Sequence, residues 1–497
     1  VGGRLYLAVV PPPDHMVHVR EQFFSKVMEA YAEHAEEIWE RYKKIAQENL
    51  SYLDSIEYDK LTLEELMIVF HDALDILEQH LRHHWCIDMA YYGLIGMFRR
   101  KWQEILGEPP DEKIIGDLCI SLKDANWERL KRIYALKEEI KKSPTLSSIF
   151  KRSITGSQLL EQLKQTEEGK RFIKKVVDFL RIYGWTNPFV HHFQVETYYE
   201  RPDLFMNQLR QYYLTDFDYN RAFNEAKDRL EKAKKAFMEK ISKKKLSNSQ
   251  QRELIKWYER VLRMASLNPD HHFFYDQGTQ TRIGYICRQI GKKLVELNIL
   301  DKPSDIFYLR YYELKKLIAN PKAFDAKKIV EQRKRKLDEE YKNFPEYDWF
   351  GTATEWSLMK EFWRTYWGWD PERIADYERV RQIILGKKKA PKKIKGLPTG
   401  TPVAEGVAKV IKTVGDFEKL QAGDIAVTPM TSPAWFVVLP RLKGIVTDSG
   451  TQLSHAAIVS RIWGLACVVG THIATQVIKD GQKIRVNGMT GTVEILE

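Results

Sequence analysis

Near Gly386 the chain changes character, and that break restricts the fold more than any other feature. Upstream, apolar residues recur every three and four positions. Downstream, short runs rich in Val, Thr and Gly alternate with turns. A helical period followed by a strand period within 497 residues implies more than one domain.

Upstream, Thr62-Leu63-Glu64-Glu65 has the form of a capping box, and Leu66, Phe70, Leu74, Leu77 and Leu81 follow on one helical face. Phe223, Ala226, Leu230, Ala233, Phe237 and Ile241 make a second stripe flanked by Lys and Glu, the pattern of a long amphipathic helix with one wet side. Glycine is sparse, Trp and Tyr are common, and there is no repeat period. Residues 1–385 therefore read as a large, mostly α-helical domain. Residues 386–396 are lysine-rich, carry Pro391, and hold one large apolar side chain, Ile394. Such a segment repels itself and has little to bury, so it reads as a linker. Strands are expected at 406–411, 424–428, 444–447 and 466–469, and a hairpin of 483–486 with 492–496 around Asn487-Gly488. Helical patterns lie at 432–439 and 454–463. Residues 397–497 thus form a compact α/β domain, and the fold class is multidomain.

Several classes of function fall away. The longest apolar runs are short and interrupted by charge, so no membrane span is expected. The start, Val1-Gly2-Gly3-Arg4-Leu5-Tyr6, lacks the pattern of a secretory signal, which makes a cytoplasmic location the expectation. Val1 leaves open whether a preceding segment is missing. The four cysteines, Cys86, Cys119, Cys287 and Cys467, are scattered, so neither a disulfide framework nor a metal site is expected from them. The formal charge of +11 is diluted over the chain, and its densest runs, 243–245 and 387–393, carry no interleaved aromatics. Solvated surface and linker explain them better than a nucleic-acid interface.

The stretch that carries chemistry runs from Gly444 to Gly470. A strand ends at Thr447, a polar turn contains Gly450, and a helix begins at Ser454, a natural N-cap. His455 falls in the first turn, Ile458, Val459 and Ile462 supply an apolar face, and Gly464 ends the helix. The partial positive charge of a helix amino end disfavours imidazolium, which leaves a neutral nucleophilic nitrogen. It also favours an attached phosphate. A lone Ser-His pair is ordinarily just a cap or a surface feature, but the surrounding residues go further.

With Thr447, Gly450, Ser454, His455, Ala457, Ile458, Val459, Arg461, Gly464, Ala466, Val468, Val469 and Gly470, the segment resembles the mobile phosphohistidine domain of the PEP-utilising superfamily, which includes phosphoenolpyruvate synthase, pyruvate phosphate dikinase and rifampin phosphotransferase. Gly423-Asp424-Ile425 and Ser432-Pro433-Ala434-Trp435 extend the likeness upstream. The resemblance implies that residues 397–497 are a swivelling phosphohistidine domain in which His455 accepts a phosphoryl group and Gly450, Thr451 and Ser454 cradle it. Thr451 stands where the family usually has a second glycine, and Leu465-Ala466-Cys467 where it has Ile-Pro-Ala. The helical region resembles the segment between the ATP-binding and mobile domains of the same superfamily, through Gly3-Arg4-Leu5-Tyr6 with Pro11-Pro12-Pro13-Asp14, through 270–277, and through 305–309 with Glu313-Leu314. Its arrangement is most similar to the catalytic subunit of phenylphosphate synthase.

No Gly-x-x-x-x-Gly-Lys-[Ser/Thr] loop or ATP-grasp-like glycine-rich segment occurs in the sequence. The resemblance therefore implies a separate ATP-grasp-like subunit that holds ATP and Mg2+, with donation through a pyrophosphoryl-histidine. Nothing follows the last hairpin, so the barrel that handles pyruvate in the dikinases is expected to be absent and the acceptor to bind in the helical domain. His272, Asp276 and Thr279 fall on one inward side of a predicted helix, and His84 and Asp88 continue the stripe of Leu74, Leu77 and Leu81. Such groups either satisfy one another or line a pocket. In the pocket reading His272 takes a proton from an acceptor hydroxyl, with Asp276 beside it, and Arg282 steadies the phosphoryl oxygens. His271, His84, Asp88 and the pair His191-His192 are further acceptor-binding candidates. The expected activity is dikinase-type phosphotransfer to a small hydroxyl compound, a phenol suiting the aromatic content. The alternatives are pyruvate- or antibiotic-directed transfer, or a non-catalytic regulatory protein. The carrier reading also requires the His455 ring to keep a route to solvent or to the larger domain.

Overall fold

The computed structural model describes residues 13–186, 193–343 and 379–496, apart from 413, 432–434, 436, 437 and 453. His191, His192, residues 1–12 and most of the 432–439 pattern lie outside the described residues, as does the side chain of Asp276.

The helical region is built on two long antiparallel-packed rods, Asp14–Asp54 and Leu63–Leu106. The second starts where the sequence placed it: the Thr62 hydroxyl accepts from the Glu65 N–H and the Glu65 carboxylate accepts from the Thr62 N–H, a complete capping box. It ends on Gly107, whose left-handed φ of 67° needs no Cβ. The second predicted stripe lies on Tyr219–Lys243, and Ala226, Leu230, Ala233, Phe237 and Ile241 are buried along it while its Lys and Glu face water. Against these rods pack Asn248–Met264 and Gln280–Glu296. Among the described residues no helix is long and apolar enough to cross a membrane.

The C-terminal domain is a mixed eight-stranded sheet. Its strands are β1 (Lys393–Lys395), β2 (Leu397–Pro398), β3 (Val403–Val410), β4 (Ile425–Thr428), β5 (Gly444–Thr447), β6 (Ala466–Val469), β7 (Lys483–Asn487) and β8 (Thr492–Ile495). The order is β1-β8-β7-β3-β4-β5-β6-β2, parallel from β3 to β6 and antiparallel outside. Every residue of β4, β5 and β6 is buried, as central parallel strands require. The terminal hairpin turns through 488–491, where the Asn487 side chain accepts from the Met489 and Thr490 N–H groups at 3.0 and 3.1 Å. One boundary moves: Lys393–Lys395, predicted as linker, pair with β8, because Ile394 has a core to enter. The exposed, unpaired part of the tether is therefore shorter, 386–390 being fully on the surface.

The two regions share one hydrophobic cluster, in which Trp127, Ile133 and Phe217 meet Trp435, Leu439 and Val459. Trp463, on the helix that carries His455, packs against Phe217 and Trp127 at ring-centroid distances of 5.1 and 6.4 Å. Arg441 donates to the Gln208 side chain at 3.3 Å, and the buried Arg461 lies so close to Gly116 that a Cβ there would meet its Nε at 2.7 Å. The sheet domain is thus seated on the helical domain.

Candidate functional site

Strand β5 ends at Thr447, and the chain turns through Gly450 at a φ of 115° into the helix His455–Trp463. A Cβ on Gly450 would approach the Ser454 hydroxyl to 2.7 Å, so the turn accepts glycine alone. Ser454 occupies the N-cap position, as predicted, but its hydroxyl donates to the Thr451 carbonyl at 2.8 Å and does not cap the helix. Thr451 is buried, and its carbonyl thereby pins the turn. Gly464 closes the helix at a φ of 64°, in agreement with the sequence.

His455 is half-buried at the face of the sheet domain whose helix packs on the helical domain. Its Nδ1 lies 2.8 Å from the Thr431 hydroxyl. Burial, then the charges of His272 and Arg129, push its pKa down to about 3, so the imidazole is neutral at physiological pH. Both of those neighbours belong to the helical domain.

The helical side of the junction is a cluster of imidazoles around one carboxylate. His84 and Asp88 sit one turn apart on Leu63–Leu106. His271 and His272 lie where the short helix Leu267–His271 passes into a π-helical stretch, His272–Thr279. The predicted α-period over 272–279 does not hold here. The wider π turn changes which residues face inward, and such turns concentrate at functional sites. As a result His271 is fully buried while His272 is partly exposed, and both adjacent rings, 4.1 Å apart, face Asp88. Asp88 Oδ1 lies 3.3 Å from His271 Nε2 and 3.9 Å from His272 Nε2, and its Oδ2 lies 3.4 Å from His84 Nε2. Burial pushes the Asp88 carboxyl up, but the facing imidazoles, His84 foremost, outweigh it and hold the group below the usual carboxylate range.

Arg282, expected at the phosphoryl oxygens, forms a bidentate pair with Asp54 at 2.7 and 2.6 Å and lies over Trp185. The guanidinium whose charge acts on His455 is that of Arg129, a residue not singled out by any motif or stripe. Burial pushes it down to about 10, which leaves it cationic at neutral pH. Arg282 instead lines a neighbouring cavity of about 640 Å³ together with Trp127, Tyr183, Trp185, Phe273, Phe274 and Lys43. Phe273 follows His272 directly, and Trp127 touches the helix of His455, so this aromatic cavity adjoins the junction. Asp124, also on its wall, is pushed up to about 7 by burial and by the charge of Asp270.

His80 and Thr431 also escaped the sequence reading. The His80 Nδ1 lies 2.6 Å from the Thr279 hydroxyl, and burial pushes its pKa down to about 4. Its folded pKa is depressed, so the stability it contributes is complete above pH 6.5 and is lost as pH falls toward 4. His80→Gln cannot take up that proton. Relative to wild type the variant should gain about 1.4 kcal/mol for each pH unit between those limits, read as a shrinking gap in thermal midpoint.

A sheet domain with a neutral histidine at a helix amino end, seated against a helical domain with its own polar cluster, matches the class found by comparison with known families. Residues 420–491 match the PEP-utilising enzyme mobile domain and residues 87–268 the rifampicin phosphotransferase fourth domain. The chain thus carries a PEP-utilising mobile domain joined to a rifampicin phosphotransferase-type helical domain. Among its relatives, an uncharacterized phosphotransferase, YvkC, of Bacillus subtilis (strain 168) is 26% identical over 448 residues, 89% of this chain and 50% of the relative. Rifampicin phosphotransferase of Bacillus cereus is 35% identical over 210 residues, 41% of this chain and 21% of the relative. A probable phosphoenolpyruvate synthase of Methanothermobacter thermautotrophicus is 44% identical over 100 residues, 20% of this chain and 15% of the relative. The chain spans about half the length of the first of these relatives and less of the others.

Proposed function

We propose that this chain is the carrier and acceptor part of a phosphotransferase: His455 takes a phosphoryl group derived from ATP and passes it to a hydroxyl of a small aromatic compound, such as a phenol, held in the helical domain. The observation that carries this reading is the seating of His455, neutral and shielded, opposite Arg129 and the His272–Asp88 cluster of the other domain. In the tautomer that gives Nδ1–H to the Thr431 hydroxyl, 2.8 Å away, the ring offers Nε2 as the nucleophile. In delivery the acceptor oxygen attacks phosphorus in line with the P–N bond, that bond's electron pair returns to Nε2, and the hydroxyl proton passes to His272. Arg129 and the helix amino end balance the charge on the equatorial oxygens. The aromatic cavity beside the junction supports an aromatic acceptor.

The donor step takes place elsewhere. ATP and Mg2+ are held on an ATP-grasp-like module, which we place on a partner chain, and the sheet domain reaches it by swinging on the exposed 386–390 tether. The motion exchanges one buried face for another, and such gating steps commonly limit turnover.

The reading is tested by incubating the chain and its ATP-binding partner with ATP and a panel of phenols and aliphatic alcohols, followed by phosphorus NMR and mass spectrometry. A phosphate ester of a phenol, formed with AMP and phosphate, is the expected product. ATP turnover that yields no ester with any panel member would remove the aromatic-acceptor assignment, and no labelling of the chain at all would remove the carrier role.

A further inference from the structure

The scattered cysteines led to no expectation of a metal centre. We infer that His84, His271, His272 and Asp88 form a binding site for one divalent transition-metal ion, zinc fitting best, in the wall of the helical domain that His455 faces. One ring nitrogen from each of the three histidines falls within a sphere in which no two are more than 4.8 Å apart. The contacts inside the cluster are 3.0 Å from His271 Nε2 to His84 Nδ1, 3.3 Å from His271 Nε2 to Asp88 Oδ1, 3.4 Å from His84 Nε2 to Asp88 Oδ2, and 3.9 Å from His272 Nε2 to Asp88 Oδ1. Four ligands bound at about 2.1 Å in a tetrahedron stand about 3.4 Å from one another. The three imidazole nitrogens, all within 4.8 Å of one another, need close in only a little to reach that spacing, with Asp88 beside them.

The proton arrangement points the same way. His271 Nδ1 is 3.0 Å from the Leu267 carbonyl, and a carbonyl only accepts, so Nδ1 carries the hydrogen. In the neutral ring, Nε2 then turns its lone pair into the cluster, 3.0 Å from His84 Nδ1 and 3.3 Å from Asp88 Oδ1. A cation at that point would take up this lone pair together with those of the His84 and His272 rings. The bond from the far ring nitrogen to a backbone carbonyl is the support that metal-binding histidines usually have. Neither oxygen of the fully buried Asp88 receives a well-aligned hydrogen bond, and His271, His84 and His272 approach it at 3.3, 3.4 and 3.9 Å. Buried carboxylates are ordinarily satisfied, so this one is arranged for another kind of partner. Three imidazoles and one carboxylate select zinc or its neighbours over magnesium and calcium, which prefer all-oxygen shells.

An ion here would stand across the junction from His455, where its charge would add to the electrostatic stabilisation of the transferred phosphoryl oxygens. That task rests on the carrier reading of His455; the binding itself does not. The test therefore uses the chain without ATP or acceptor. Metal content is measured by plasma mass spectrometry, the protein is stripped with EDTA, and Co2+ is titrated in while visible absorption is followed. The expected result is one equivalent of Co2+ with the bands of a low-coordinate nitrogen and oxygen site, no thiolate charge-transfer band, and displacement by Zn2+. His272→Ala removes the partly exposed ligand with least disturbance of the core and should weaken Co2+ binding by more than about 100-fold, beyond the loss of an outer-shell partner. Asp88→Asn, checked for folding by circular dichroism, should do the same. Wild-type protein that takes up no stoichiometric Co2+ or Zn2+ overturns the proposal, as does unchanged affinity in His272→Ala. Nitrogen NMR that finds His271 doubly protonated in the presence of Zn2+ overturns it too, because a proton would then hold the place of the ion. Failure on any of these counts leaves labelling of His455 by ATP to be judged separately.

Discussion

His455→Ala is expected to reduce acid-labile, base-stable phosphate on the chain to background when ATP and its binding partner are supplied. The effect should be total, because the variant lacks the atom that forms the P–N bond and no other histidine lies at that helix amino end. Folding should survive. Position 455 is the first residue of a nine-residue helix, where alanine is well tolerated, and the apolar anchors Val459 and Trp463 are unaffected. Label that persists at wild-type level would reject the carrier role outright. Label that moves to another residue would be found by peptide mass spectrometry and would shift the proposal to that residue.

His272→Ala should behave in the opposite way: full labelling of His455, followed by slow release to the acceptor. Loss of a positioned proton acceptor typically costs 10²- to 10⁴-fold, about 3 to 5 kcal/mol in the barrier. His272 is the partly exposed member of the cluster, and its side chain contributes little to the core, so a fall of this size would not reflect unfolding. The informative measurement is single-turnover: phosphorylated chain is isolated, mixed with acceptor, and its loss of label timed. Unchanged transfer would remove His272 from the delivery step. Failure to label would place the residue at the donor step instead. The charge of His272 also acts on the His455 ring, so its removal should let the His455 pKa rise from its depressed value, an effect visible by imidazole NMR and independent of turnover.

How much of this was legible in the sequence varies residue by residue. The capping box at Thr62, the buried stripe from Ala226 to Ile241 and strands β4 to β6 were all readable, because each depends on periods and caps within a few residues. His455 was readable for the same reason: strand end, glycine turn, helix start and apolar face all lie within about twenty consecutive positions. His84, Asp88, His271 and His272 could be named as polar groups on apolar stripes but not joined, since 187 positions separate His84 from His271. The α-period predicted at 272–279 missed the π stretch, whose wider turn is favoured by packing against the long Leu63–Leu106 rod and not by local propensity. Arg282 was named for the phosphoryl oxygens and Arg129 was not named, because the pairing of Arg282 with Asp54, far away in sequence, is not visible in either segment.

The sequence by itself determined the local elements and the setting of His455, since hydrogen bonds within a turn and apolar periodicity are short-range. Tertiary structure alone decided what His455 faces, that three imidazoles meet one carboxylate, and which arginine reaches the ring. Those outcomes depend on how two domains bury a common apolar surface around Trp127 and Trp463, and such burial is non-directional and sums over residues from both ends of the chain.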